Sequence, residues 1–170
     1  SLLFGSCKGA YTGAVDKDGL FSEAHQGTLF FDEIENLTLN LQAKLLRVIE
    51  THEYYKLGGT QKHSSDFRLI CATNRDLQEM VDQGLFRLDL FYRLDVSHLI
   101  IPPLRQHKED IGVLAYNYLK QTRKHLSREA LRLLYEHNWP GNVRELFNCL
   151  ERAVFAAKAS PVLFPQHFDI

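Results

Sequence analysis

The chain has 170 residues, 45% apolar and 24% charged, with a formal net charge of −1 at pH 7. That length suits one domain or a pair of lobes with a sizeable core, and the balanced charge excludes a strongly basic nucleic-acid surface or a charged tail. Cys7, Cys71 and Cys149 are few and far apart, and the eight histidines are scattered, so neither a disulfide framework nor a zinc site is spelled out.

Taken in order, Ser1 to Phe4 reads as the tail of an element begun earlier, so the chain is expected to be a fragment. Lys8 to Ala14 follows, small residues with Gly9 and Gly13 around one large aromatic, Tyr11. Glycines at both ends free the backbone, and the ring offers an apolar face with a polar tip. The segment is either a projecting contact loop or a surface loop whose Tyr11 folds back on the core. Gly19 to Ala24 reads as a short helical return, with His25-Gln26-Gly27 as a turn.

Thr28-Leu29-Phe30-Phe31 then runs apolar into Asp32-Glu33. An apolar run without alternation predicts a parallel strand covered on both faces, and ligands of such sheets bind beyond the carboxyl ends of strands. Asp32 could hold hydrated magnesium beside phosphates and Glu33 could polarise a water; the alternative is a solvated acidic pair. Thr38 is placed to cap a helix carrying Leu41, Leu45, Val48 and Ile49 on one face. A short strand at Tyr54–Leu57 is expected before Gly58-Gly59, and the polar run Thr60 to Asp66 reads as a second projecting loop.

Phe67 to Ala72 is a second strand candidate, ending at Thr73-Asn74. The Asn74 amide could bond a phosphate or a water, or cap the next helix with its Leu77, Met80 and Val81 stripe. Arg87 and Arg93 follow; on one regular helix their side chains would lie about 120° apart. They serve either as phosphate-stabilising cations or as surface ion-pair partners. Val96 to Ile101 is expected to form a last apolar strand, stopped by Pro102-Pro103. Thereafter the periodicity is helical: Ile111, Leu114, Ala115, Tyr118 and Leu119 share a face, Ser127 caps a helix with Leu131 and Leu134, and a third helix begins near Val143. Asn142 and Glu145 resemble a capping box, which leaves Arg144 in a first turn where the helix dipole disfavours it.

Several of these stretches together resemble one family. The run Gly9, Ala10, Tyr11, Thr12, Gly13, Ala14 is similar to the GAFTGA signature of bacterial enhancer-binding proteins, the AAA+ ATPases that activate sigma-54 RNA polymerase. GTLFFDEI resembles their Walker B element, Thr73-Asn74 their sensor I, the stretch Gly84 to Leu94 their arginine-finger segment, and WPGNVREL their sensor II. Two departures stand out: Tyr11 replaces the usual Phe, and Phe4-Gly5-Ser6-Cys7 replaces FGHE, losing a carboxylate.

The resemblance implies an α/β fold, with part of a P-loop-type AAA+ parallel-sheet core over residues 1–103 and a small all-helical lid over 104–170. It implies ATP and Mg2+ as cofactors, with Asp32 on the metal, Glu33 on the water, and Asn74, Arg87 and Arg93 in catalysis. Thr73 and Arg144 would join Asp32 and Asn74 at the nucleotide, and residues 9–14 would contact sigma-54. Implied partners are the sigma-54 polymerase holoenzyme and further copies in a hexameric or heptameric ring, with DNA reached only through a domain absent here and no membrane. A GxxxxGK[ST] phosphate loop is missing from the sequence, so this chain alone is expected not to turn over ATP. The resulting expectation is a cytoplasmic, sigma-54-dependent activator segment; the alternative is a truncated or degenerate module that binds partners without hydrolysis.

Overall fold

Phe21, fully buried at the middle of the one-turn α1 (Leu20–Glu23), is the hub of the first of two units in the computed structural model, which describes residues 2–170. Its ring meets Phe4 edge-on and tilts against Tyr54 and Phe67, so aromatic packing from four separate segments defines this core. The buried Ser65 hydroxyl donates to the Phe21 carbonyl, which pins α1 to the chain entering the second parallel strand. The first unit spans Ser1–His98 and the second Leu99–Ile170. The expectation about the chain's first four residues falls at Ser1 outside the described residues; Leu2 to Phe4 form a turn.

In the first unit, β1 (Thr28–Phe31) leads through a 3-10 turn (Ile34–Asn36) into α2 (Leu39–Thr51). The Thr38 hydroxyl accepts from the Leu41 N–H at 3.4 Å, capping α2, while Leu45 and Val48 are buried against the sheet core. A hairpin follows, β2 (Glu53–Tyr55) antiparallel to β3 (Lys62–Ser64). Residues 60–66 are therefore not wholly a loop. Lys62-His63-Ser64 pairs with β2 as a strand of a small ribbon whose polar side chains give no alternating signal.

β4 (Arg68–Cys71) then pairs in parallel with β1, Thr28 opposite Arg68 and Phe31 opposite Cys71. Leu29 and Phe31 are buried, but Phe30 is 59% exposed and Ile70 beside it 41%. The expected covering of both faces is thus corrected to one, because among the described residues no helix lies over the Phe30 side. α3 (Leu77–Asp82) and α4 (Leu88–Leu94) complete the unit. The expected strand at Val96 to Ile101 does not form: its residues carry no ladder, and Val96, Leu99, Ile100 and Ile101 are largely exposed. An apolar run becomes a strand only when a sheet edge offers it hydrogen bonds, and no edge among the described residues does so.

The second unit packs α5 (Asp110–Leu119), α6 (Arg128–Glu136) and α7 (Asn142–Ala156) around Ile111, Leu134, Leu146 and Leu150. Ser127 caps α6 by accepting from the Ala130 N–H at 3.1 Å. The unit is helical apart from a two-residue parallel ladder, β5 (His125–Leu126) with β6 (Val162–Leu163). Trp139, 0% exposed, fills its centre and donates its indole N–H to the Leu134 carbonyl at 2.8 Å. The anticipated capping box is half realised. Glu145 accepts from the Gly141 N–H at 2.7 Å, but the Asn142 carboxamide is taken by the Leu104 N–H at 3.0 Å. Asn142 is drawn away because it ties the helix start to the segment that enters the unit.

Candidate functional site

The register of β1 with β4 brings two of the sequence-predicted pairs to one end of the sheet. Phe31 lies opposite Cys71, so Asp32-Glu33 and Thr73-Asn74 leave adjacent strands side by side. The crossing is tied by the Ala72 N–H on the Phe31 carbonyl at 2.7 Å and the Ile34 N–H on the Ala72 carbonyl at 3.1 Å.

Asp32 and Glu33 are exposed, and neither pairs with a lysine or arginine among the described residues. Glu33 sits in the left-handed region with φ 53°, a conformation uncommon for a residue with a side chain. The Asp32 carboxylate accepts the Glu33 N–H at 3.1 Å and the Glu33 carboxylate accepts from the Asn36 side-chain N–H at 2.9 Å. Asp32 thus bonds the backbone of its neighbour and Glu33 a side-chain amide, and both carboxylates stay exposed. Thr73 accepts from the Arg75 N–H at 3.1 Å, and Asn74 is exposed with no protein partner for its amide among the described residues. Asn74 is not the cap of α3; Asp76 is, accepting from Gln78 and Glu79.

Arg87 precedes α4 as its N-cap, with φ −79° and ψ 131°, whereas Arg93 lies in the last turn. The separation expected for one regular helix therefore does not apply. The Arg87 guanidinium forks onto Asp89, Nε to Oδ1 at 3.0 Å and Nη2 to Oδ2 at 2.6 Å. This bond raises the Arg87 pKa and holds the Asp89 carboxyl below its usual range. Arg93 is exposed without an ion pair among the described residues.

Elsewhere in the same unit, Gly9 and Gly13 both take positive φ, 87° and 82°, and turn the chain around an exposed Tyr11. The Ala14 N–H closes the tip on the Tyr11 carbonyl at 2.9 Å, and the buried Ser6 hydroxyl fixes the base by donating to the Val15 carbonyl at 2.9 Å. A second segment abuts it. The Cys7 N–H donates to the Leu57 carbonyl and the Leu57 N–H to the Gly5 carbonyl, at 3.0 and 3.2 Å. At Gly58, with φ 73°, an added Cβ would lie 2.6 Å from that of Ala10, so only glycine allows the approach. Lys56, its side chain 11% exposed, bridges Asp18 at 2.9 Å and Asp16 at 3.2 Å.

Residues 1–100 match the family described as the Sigma-54 interaction domain, and residues 105–169 match the AAA+ ATPase lid domain. The chain belongs to the sigma-54 interaction family. It is 49% identical to the regulatory protein AtoC of Escherichia coli K12 over 98% of this chain and 38% of that protein. It is 46% identical to the anaerobic nitric oxide reductase transcription regulator NorR of Salmonella paratyphi C, over 100% and 36%. The structure of NtrX from Brucella abortus in complex with ADP superposes with a TM-score of 0.87 at 32% identity, over 98% of this chain and 39% of that one. Thermotoga maritima RuvB, at 16% identity and a TM-score of 0.62, shares the fold alone. The chain thus spans under two fifths of AtoC and NorR. It is an α/β AAA+ core segment followed by a helical lid.

Within this family segment the donor set can be tested against magnesium. No group of three or more His, Cys, Asp or Glu among the described residues could hold a metal by itself. A single open carboxylate, Asp32, suits magnesium, which keeps waters and phosphate oxygens around one or two acids. Arg144 belongs to the second unit, exposed in the first turn of α7 without an ion pair among the described residues. Sequence reasoning missed three residues of the first unit: Asn36 on Glu33, Lys56 between two aspartates, and Gln42 inside α2. None carries a readable signal: the partners of Lys56, Asp16 and Asp18, lie in one segment about 40 residues upstream.

Proposed function

We propose that this chain is the nucleotide-hydrolysing and output segment of a sigma-54-dependent transcriptional activator of the bacterial cytoplasm. Residues 1–103 would belong to the ATPase core and 104–170 to its lid. The observation that carries the reading is the junction of Asp32-Glu33 with Thr73-Asn74 at one end of a parallel pair, open to solvent and, among the described residues, without an ion pair to a cation. ATP with Mg2+ would bind there, Asp32 taking the ion and Thr73 and Asn74 the phosphate side. Bound magnesium would screen phosphate charge. Glu33 orients and polarises the attacking water, and its nearest restraint is the Asn36 amide. Arg87 and Arg93 supply fixed positive charge to a phosphate of a neighbouring copy in a ring, and Arg144 reads the nucleotide from the lid. Residues 9–14 present Tyr11 to sigma-54, and the connection between β2 and β3, which abuts them through Leu57 and Gly58 and enters the polar run Thr60 to Asp66, moves with them.

The experiment uses the complete protein that carries this chain. Glu33→Gln is expected to retain ATP binding and lose hydrolysis, since the amide keeps the shape and loses the base. Loss of binding with the fold intact would assign Glu33 elsewhere. A transition-state mimic of ATP is expected to trap the protein on sigma-54, and Tyr11→Ala to abolish the trapping while ATPase activity continues. Unchanged trapping removes Tyr11 from the contact. The 170-residue chain by itself is expected to show no ATPase activity, because its sequence holds no phosphate loop.

A further inference from the structure

Gln42 is polar and 0% exposed, at the N-terminal end of the buried face that α2 forms with Leu45 and Val48. Every strong group of its carboxamide is used. Nε2 donates to the Leu37 carbonyl at 2.8 Å and to the Leu85 carbonyl at 3.1 Å, and Oε1 accepts the Arg87 N–H at 2.9 Å. Two carbonyls on one side and an N–H on the other fix the amide orientation, since a flip would set oxygen against oxygen. No other side chain of this length offers two donors and an acceptor without charge. Leu37 is the residue after the 3-10 turn that starts from Glu33, and Leu85 to Arg87 is the entry to α4. One buried amide therefore ties the exit of the acidic segment to the backbone of Arg87, whose guanidinium is aimed separately by Asp89.

We propose that Gln42 is a positioning residue for Arg87, holding its backbone in the extended N-cap conformation from which the guanidinium reaches phosphate. The inference rests on the reading of Arg87 given under the proposed function. A tie that only stabilised the fold would change the amount of folded protein. A positioning tie changes turnover in folded protein and acts through Arg87.

The test compares Gln42→Met, Gln42→Glu, Arg87→Ala and the Gln42→Met/Arg87→Ala pair in the complete protein, measuring kcat, KM for ATP and thermal unfolding. Methionine keeps the volume and removes the bonds; a buried carboxyl held neutral keeps one donor and one acceptor. Expected are a kcat lowered about tenfold in Gln42→Met with KM unchanged, a smaller loss in Gln42→Glu, and a double variant no slower than Arg87→Ala. If Arg87→Ala lowers kcat while the folded Gln42 variants do not, or if the two losses multiply in the double variant, the positioning role is overturned and Arg87 keeps its own. Full kcat in Arg87→Ala overturns the reading of Arg87 and the inference with it. If Gln42→Met does not fold, Gln42→Glu carries the comparison, and failure of both to fold makes Gln42 a structural tie and ends the proposal.

Discussion

A carboxylate that must polarise water is most useful when nothing else holds its lone pairs. Glu33 meets that condition in part, because the Asn36 amide occupies one of its oxygens at 2.9 Å. At this exposed site competition from water holds the bond from the Asn36 amide to the carboxylate to roughly 1 kcal/mol, about a fivefold factor in population. Asn36→Ala is therefore expected to raise basal hydrolysis by the complete protein about fivefold, read in a steady-state phosphate-release assay. A fall would show that Asn36 orients the base instead of restraining it. At the carboxyl end of β4, opposite Phe31, burial pushes the Cys71 thiol up to about 11 from 9.0. The folded state thus prefers the protonated thiol, so stability is lost as pH rises from the ordinary thiol value towards the raised one. Cys71 is expected to resist alkylation by iodoacetamide at pH 8 and to become reactive only on unfolding, checked by mass spectrometry of the labelled peptide.

Elements rather than single residues carry the link between the two loops. Lys56 follows β2 and reaches back to Asp16 and Asp18, and the bond to Asp18 leads the causes that raise its pKa above 10.5. A raised lysine contributes below its ordinary value and loses that contribution as pH climbs through the raised one, so the tie persists through neutral pH. Lys56→Met is expected to loosen the base of the Gly9–Ala14 turn and speed chymotrypsin cleavage after Tyr11, followed by limited proteolysis. Equal rates would show that the Cys7 and Leu57 backbone bonds suffice. The caps at Thr38 and Ser127, the strand end at Phe31, the second parallel strand to within one residue at each end (read as 67–72, formed by Arg68–Cys71), and the helical faces of the second unit were all readable, because each follows from periodicity or from one local hydrogen bond. Gln42 was not, since a glutamine on an apolar face looks like an interruption until its three partners, up to 45 residues away, are known. β3 was missed because a polar ribbon strand has no alternation to detect. Val96 to Ile101 was over-read because apolar composition supplies propensity but not a partner edge.

At the scale of the molecule, the parallel pair leaves Phe30 and Ile70 adjacent on an open face, with Val96, Leu99, Ile100 and Ile101 also exposed. Parallel strands are ordinarily covered on both sides, and exposed apolar surface of this kind drives association. The isolated chain is expected to self-associate at micromolar concentration, and Phe30→Ser with Ile70→Thr to shift it towards monomer in sedimentation velocity. A monomeric parent chain would contradict this.

The buried indole of the second unit has a practical consequence. Trp139 is the protein's one tryptophan, and it lies five residues before Arg144. Its emission reports the interior of the lid with no contribution from the sheet unit, whose aromatic signal comes from tyrosine and phenylalanine. Following that emission while the 170-residue chain is unfolded by denaturant would report the loss of the lid's packing separately from that of the sheet unit, without any label. The cell's own sequence has made the lid visible by itself.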